Sequence, residues 1–198
     1  MTATSSVGSS ALVDMAIKHI DRLIGEGIIR PGDSISEPEV CSALSLGRVP
    51  VREAIRILAG ERILELVPNK SARVRRIEPA ELLERFELLS WLSAFAIQSL
   101  AEEGRNLEIG KTLKVIARRI EALGKGGDAS LTLREINRFH GATIKACGNR
   151  YLNGMVERMR MNHYILSVVT ILGHDLINAS ASKYPMMAEA FSRGEGAK

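Results

Sequence analysis

Three arginines stand four residues apart, at Arg48, Arg52 and Arg56. A guanidinium is a planar, permanently charged fork that donates paired hydrogen bonds to phosphate oxygens or to the O6 and N7 edge of guanine. At helical spacing the three share one face, while Val51, Ala54, Ile55 and Leu58 form an apolar stripe on another. Such a helix can bury one side and offer three cations on the other. Just beyond it, residues 64–67 and 72–76 alternate as strands about the turn Pro68-Asn69-Lys70-Ser71. The chemistry this fits is recognition of a polyanion. Arg48, Val49, Pro50, Arg52 and Arg56 would meet base edges and phosphates, and Asn69, Lys70, Ser71 and Arg73 would form the tip and flank of a basic hairpin. A charged helix face is most often no more than a solvated surface. Here the order of elements (helix, short link, arginine helix, basic hairpin) is that of a winged helix-turn-helix, which puts double-stranded DNA ahead of the solvated face.

The elements that must position these residues are legible upstream. Leu12, Met15, Ile20, Leu23 and Ile24 mark a first amphipathic helix, and Gly25, Gly27, Pro31 and Gly32 break it. Ser36 can cap a second helix, with Glu39 at the capping-box position and Pro38 in the first turn. Val40, Ala43 and Leu44 are its inward residues, and Ser45-Leu46-Gly47 links it to the arginine helix over residues 48–59. Charge follows the same plan. Residues 1–47 carry three Lys/Arg against six Asp/Glu, whereas residues 48–76 carry eight against three. A basic block of that kind is the footprint of a surface that meets phosphates.

The stretch IIRPGDSISEPEVCSALSLGRVPVREAIRILAGERILELVPNKSARV resembles the DNA-binding domain of GntR-type regulators. Arg48, Pro50, Val51, Arg52, Glu53 and Ala54 match that family's near-invariant run in place. The resemblance implies that Arg48 and Arg52 contact operator DNA and that the wing tip enters the minor groove. Gly47, Val49, Arg62, Ser71 and Pro38 stand where the family usually has Ser, Thr, Gly, Gly and Arg. These departures leave the fold and alter the base sequence that is read.

Beyond Ile77-Glu78-Pro79 the chain reads as helices only. One holds Leu82, Phe86, Leu89, Ala96 and Leu100, and the next holds Ile109, Leu113, Ile116, Ile120 and Leu123. A third covers about residues 131–146, a fourth about 151–172, and a short fifth contains Met186, Met187, Ala190 and Phe191. The fold expected is mainly α. Residues 1–10 form a disordered tail, and residues 11–77 a winged helix-turn-helix with a small β-hairpin wing. Residues 78–198 form an all-α antiparallel helical bundle.

The run from Asn137-Arg138-Phe139-His140 to Cys147-Gly148-Asn149-Arg150-Tyr151-Leu152 resembles the FCD domain of the FadR subgroup, an effector-sensing and dimerising unit. Many such domains hold a divalent metal that binds a carboxylate effector. His140 keeps one ligand position, but Ile136 and Tyr184 occupy two others, and residues 78–198 are expected to lack the domain's last helix. Leu89 and Ser93 stand where an Arg and a Glu are common. The expectation is therefore no cofactor and no tightly bound metal, since a tight site needs three or four converging ligands. His163 and His140 fall on inward stripes, as core histidines or as a shared ligand site. Arg158, and Arg160 beside it, would anchor an acidic effector, with Asn149 close by on the sequence.

No Gly-rich phosphate loop, nucleophile elbow or HExxH motif is present, so the sequence does not suggest an enzyme. Cys41 and Cys147 are widely separated, and no apolar run reaches membrane-spanning length. The sequence thus describes a bacterial, cytoplasmic, homodimeric transcription regulator on a palindromic operator, modulated by a small metabolite of carboxylate type. The alternative is a DNA-binding and dimerising protein with a degenerate sensor and no effector.

Overall fold

The computed structural model describes residues 8–67 and 72–194. The chain divides into two compact units between Ile77 and Glu78.

The first unit begins with α1 (Ser9–Gly25), α2 (Glu37–Leu44) and α3 (Arg48–Gly60). Helix α1 takes in Ser9 and Ser10, which the sequence suggested were tail; the rest of that tail, residues 1–7, lies outside the described residues. Its buried face is Val13, Ala16, Ile17, Ile20 and Ile24; of the expected stripe Ile20 and Ile24 are buried, Leu12 and Leu23 are half-buried, and Met15 is exposed. Intervals of three and four hold the buried side chains on one side of the helix. Helix α2 opens on Ser36, whose Oγ accepts from the Glu39 amide at 3.4 Å, and closes on Ser45 in the left-handed region (φ 54). Only Val40 of α2 is buried; Ala43, expected inward, is exposed. Helix α3 packs Val51, Ala54, Ile55 and Leu58 into the core and rests on α1 and α2.

Strands β1 (Leu64–Glu65) and β2 (Arg73–Val74) pair antiparallel, with Leu64 opposite Val74 and Glu65 opposite Arg73. They are shorter than the expected strands, and their connection, residues 68–71, lies outside the described residues. A third segment completes the base of the hairpin. Ser34 bridges Arg73, the Ile35 amide donates to Ala72 O at 2.7 Å, and the Val74 amide donates to Asp33 O at 2.8 Å. The turn into that segment depends on Gly32, at φ 97, where a Cβ would lie 2.9 Å from the Arg76 guanidinium. Arg62 also adopts a left-handed conformation, at φ 59, and this is the position at which the resembled family has glycine.

The second unit contains α4 (Pro79–Glu102), α5 (Asn106–Lys125), α6 (Ala129–Ala146), α7 (Arg150–Met159), α8 (Ile165–Leu172), α9 (His174–Ala181) and α10 (Tyr184–Ser192). Helix α5 packs on α6, α9 and α10, and α6 also packs on α4, α8 and α9. Gly124 lets α5 lie directly against α9, where a Cβ would meet Ala181 Cβ at 2.5 Å and Asn178 O at 3.0 Å.

The continuous helix expected over about residues 151–172 is broken. Arg160 turns left-handed (φ 45), and a 3-10 turn over Met161–Tyr164 precedes α8. Helix α4 seals the break. Arg85 Nη1 donates to Met159 O at 3.3 Å, its guanidinium lies 4.8 Å from the centre of the Tyr164 ring, and Glu81 Oε1 holds it at 3.1 Å. A cation on the last carbonyls of a helix also opposes the negative end of the helix dipole. The break resets the apolar register. His163, Ile165 and Val168 are buried, whereas Leu166 is half-buried and Thr170 exposed. The sequence reading also missed α9, because its buried residues, Ile177 and Ala181, are only two. No single helix among the described residues is long and apolar enough to cross a membrane. Residues 150–172 and 174–192 reach that length and apolarity only as a pair bent by 112°.

Gly32 and Arg62, both at positive φ, predict opposite mutational signs. Gly32→Ala should destabilise the protein by about 1–2 kcal/mol, the cost of a Cβ in the left-handed region. Arg62→Gly relieves that same cost and should stabilise by up to about 1 kcal/mol after the added chain entropy of glycine. Urea unfolding followed by circular dichroism measures both. Equal signs for the two variants would contradict the backbone geometry described.

Candidate nucleic-acid interface

Helix α3 begins at Gly47, a residue with no side chain to cap it, so its first-turn amides point outward. Arg48, Val49, Arg52 and Arg56 are all exposed and Pro50 is half-buried. Because Val51, Ala54, Ile55 and Leu58 are buried on the opposite side, the helix cannot rotate without driving guanidinium groups into the core. The arginines are not equivalent. Arg52 Nε donates to Glu37 Oε2 on α2 at 2.9 Å, whereas Arg48 and Arg56 form no ion pair among the described residues. An ion pair this exposed contributes between about 0 and 1 kcal/mol to stability.

Arg73 stands on β2 opposite Glu65, with Nη1 3.9 Å from Glu65 Oε1. Its Nε is buried and has no hydrogen-bond partner among the described residues, while 44% of the side chain stays exposed. The stem is thus covered and the end of the guanidinium is offered to solvent. Asn69, Lys70 and Ser71, the expected wing tip, lie outside the described residues. Glu37 is the participant that the sequence did not reveal. It looked like a helix-start residue, and fifteen positions separate it from Arg52 with no periodicity to connect them.

The candidate ligand residues of the second unit stand in different local surroundings. His140 Nε2 lies 3.2 Å from Tyr184 OH, and both rings pack edge-on with Phe139, whose centroid is 5.1 Å from that of Tyr184. Burial pushes the His140 imidazole down to about 4 and the Tyr184 phenol up to about 12, so both are neutral at pH 7. His163 is buried in the 3-10 turn. Asn149 is exposed and spends its Oδ1 on the Tyr151 and Leu152 amides at 3.1 Å, as the cap of α7. Arg158 is exposed. Asn149 and Arg158 therefore stand at the surface rather than in a pocket with the two histidines. Among the described residues no group of three or more His, Cys, Asp or Glu is placed to hold a metal ion.

Residues 12–74 match the family described as bacterial regulatory proteins, gntR family. The chain is 21% identical over 140 residues to the uncharacterized HTH-type transcriptional regulator YdhC of Bacillus subtilis, a match covering 71% of this chain and 62% of that protein. It is 29% identical over 140 residues to the HTH-type transcriptional repressor GlaR of Escherichia coli, covering 67% of this chain and 62% of that one. The chain thus spans less than two thirds of the length of these relatives. Among solved structures, E. coli McbR/YncC is similar with a TM-score of 0.76 at 17% identity, over 94% of this chain and 88% of that one. A GntR protein from Rhodococcus sp. RHA1 is similar with a TM-score of 0.77 at 18% identity, over 93% and 88%. At these identities the likeness to solved structures is one of fold.

The neutral His140 makes stability depend on pH. In the unfolded chain the imidazole binds a proton below its ordinary value of 6.5, while in the folded chain it does so only near 4. Its contribution is therefore present above pH 6.5 and is lost as pH falls from 6.5 towards 4. The urea midpoint should drop between pH 7 and pH 5, and His140→Gln should show a shallower drop. An unchanged drop in the variant would show that other groups carry it.

Proposed function

We propose, from the gntR-family winged helix-turn-helix at residues 12–74, that this protein is a transcription regulator that binds double-stranded operator DNA. The observation that carries this is α3, with three arginines exposed along the side opposite its buried stripe. Laid in a major groove, α3 would bring Arg48 and Arg52 to guanine edges and Arg56 to backbone phosphate. Val49, 74% exposed at the head of the helix, suits a thymine methyl, with Pro50 beside it. Arg73 and the wing residues Asn69, Lys70 and Ser71 would follow the phosphates towards the minor groove. The relatives' names, transcriptional regulator and transcriptional repressor, support the same reading.

The second unit resembles the FCD domain of the FadR subgroup, and we read it as the dimerising and effector-binding half of a cytoplasmic homodimer on a palindromic site. On α4, Leu88, Trp91 and Phe95 recur at intervals of three and four and are 46%, 70% and 53% exposed. An indole and a phenyl ring left in water on one stripe favour self-association. A carboxylate effector would occupy this unit, acting without a bound metal. The exposure of Asn149 and Arg158 and the contact of His140 with Tyr184 favour a second reading for this half, in which it dimerises without taking an effector. Thermal shift against a panel of small carboxylic acids separates the two: a saturable rise in midpoint supports the effector, and no response across the panel supports the second reading.

Two variants test the main proposal. Arg52→Ala should weaken binding to a selected operator by about 1–3 kcal/mol while leaving the circular dichroism spectrum unchanged. Parent-like affinity would remove α3 from the interface. Trp91→Glu with Phe95→Glu should convert a dimer to a monomer in light scattering at micromolar concentration. A dimer that survives both changes would place the interface elsewhere.

A further inference from the structure

The ion pair between Arg52 and Glu37 contributes little to stability, yet it joins the residue proposed to read DNA to a carboxylate on a different helix. A carboxylate beside a DNA-binding arginine lowers the attraction to phosphate and so opposes simple affinity. What it does supply is geometry. An arginine side chain carries five N–H donors on a long, freely rotating stem. The Arg52 Nε–H is committed to Glu37 Oε2 at 2.9 Å, and the Arg52 side chain remains 56% exposed. The terminal Nη1 and Nη2 groups are the outer end of that fork, and a guanine edge needs two parallel donors.

We propose that Glu37 is a specificity-determining residue, which presets Arg52 to meet a guanine end-on, through its two terminal nitrogens, and restrains it from reaching phosphates. This rests on α3 being the reading helix. Three observations converge on it. Glu37 starts α2, and Arg52 lies in the middle of α3, so the bond spans the two helices of the motif and fixes the fork relative to both. The Glu37 side chain is only 27% exposed, so its own position is restricted. Arg48 and Arg56, one turn to either side, have no such partner among the described residues and stay free to follow the backbone. One arginine of three is thus pre-ordered, and ordering before contact lowers the entropy lost on binding one sequence. The same restraint withholds a mobile cation from every other sequence.

The test is Glu37→Gln, which keeps the size and an acceptor oxygen while removing the charge. Affinities of the full chain are measured for a duplex selected by the parent from a random pool and for a scrambled duplex of equal length, over a range of salt. Binding to the scrambled duplex should tighten, its log–log salt slope should steepen by about 1, and the ratio of selected to scrambled affinity should fall about tenfold. In an Arg52→Ala background the same change should leave that ratio unaltered, an outcome that a general loss of folding would not produce. If Glu37→Gln keeps the parental ratio while Arg52→Ala lowers it, Arg52 reads DNA without this restraint and the proposal fails alone. If neither variant changes the ratio, α3 is not the reading helix and both readings fail.

Discussion

The first unit depends on the burial of one stripe. Val51, Ala54, Ile55 and Leu58 on α3 meet the stripe Val13, Ala16, Ile17, Ile20 and Ile24 on α1, and no other orientation of α3 removes as much apolar surface from water. Full burial of an aliphatic side chain of this size is worth roughly 1.5–3 kcal/mol. A turn of α3 by one residue would expose several of these groups and bury charge, which costs far more than it returns. The positions of the arginines are therefore set by residues that never meet a ligand. The left-handed Ser45 completes this arrangement by ending α2 and starting the link within a single residue.

The two units use polar pairs in different ways. Arg52 and Glu37 are charged and largely wet, so their bond constrains direction with little effect on stability. His140, half-buried, and Tyr184, buried, are neutral at pH 7, and their bond ties α6 to α10 within a cluster of three rings. The metal site of the resembled domain would need His140 as a ligand, whereas here its Nε2 already faces the Tyr184 hydroxyl at 3.2 Å. A histidine held neutral beside a phenol is a packing element with one polar bond. On α4, Leu89 and Ser93, where the resembled domain commonly has an Arg and a Glu, are both buried.

Periodicity made most helices of both units legible, α9 excepted. The arginine face, the buried stripe of α3 and the cap at Ser36 follow from rules that act within four residues. The hidden features all depend on distant partners or on backbone torsions. The residues from Tyr151 to Leu172 look like one helix because their apolar spacing runs on, and the left-handed turn at Arg160 is stabilised in part by Arg85, 74 positions before Met159. Met15 looked inward because α1 carries apolar residues at the edge of its buried stripe as well as within it. Glu37 was visible as a helix-start residue, and its bond to Arg52 was not, since a contact between two helices leaves no mark in either helix's own spacing.

The segment from Gly32 to Ile35 has a protective effect as well. Strand β2 is the middle of three extended segments: β1 takes one side of it, and the Asp33 and Ala72 bonds take the other. Unsatisfied strand edges recruit other chains, and the usual defence is to keep edges short or covered. Here the most central strand has no free side, and the flanking partners are a two-residue strand and a single bridge, too brief to act as templates. The base of the hairpin is thereby guarded against edge-to-edge aggregation.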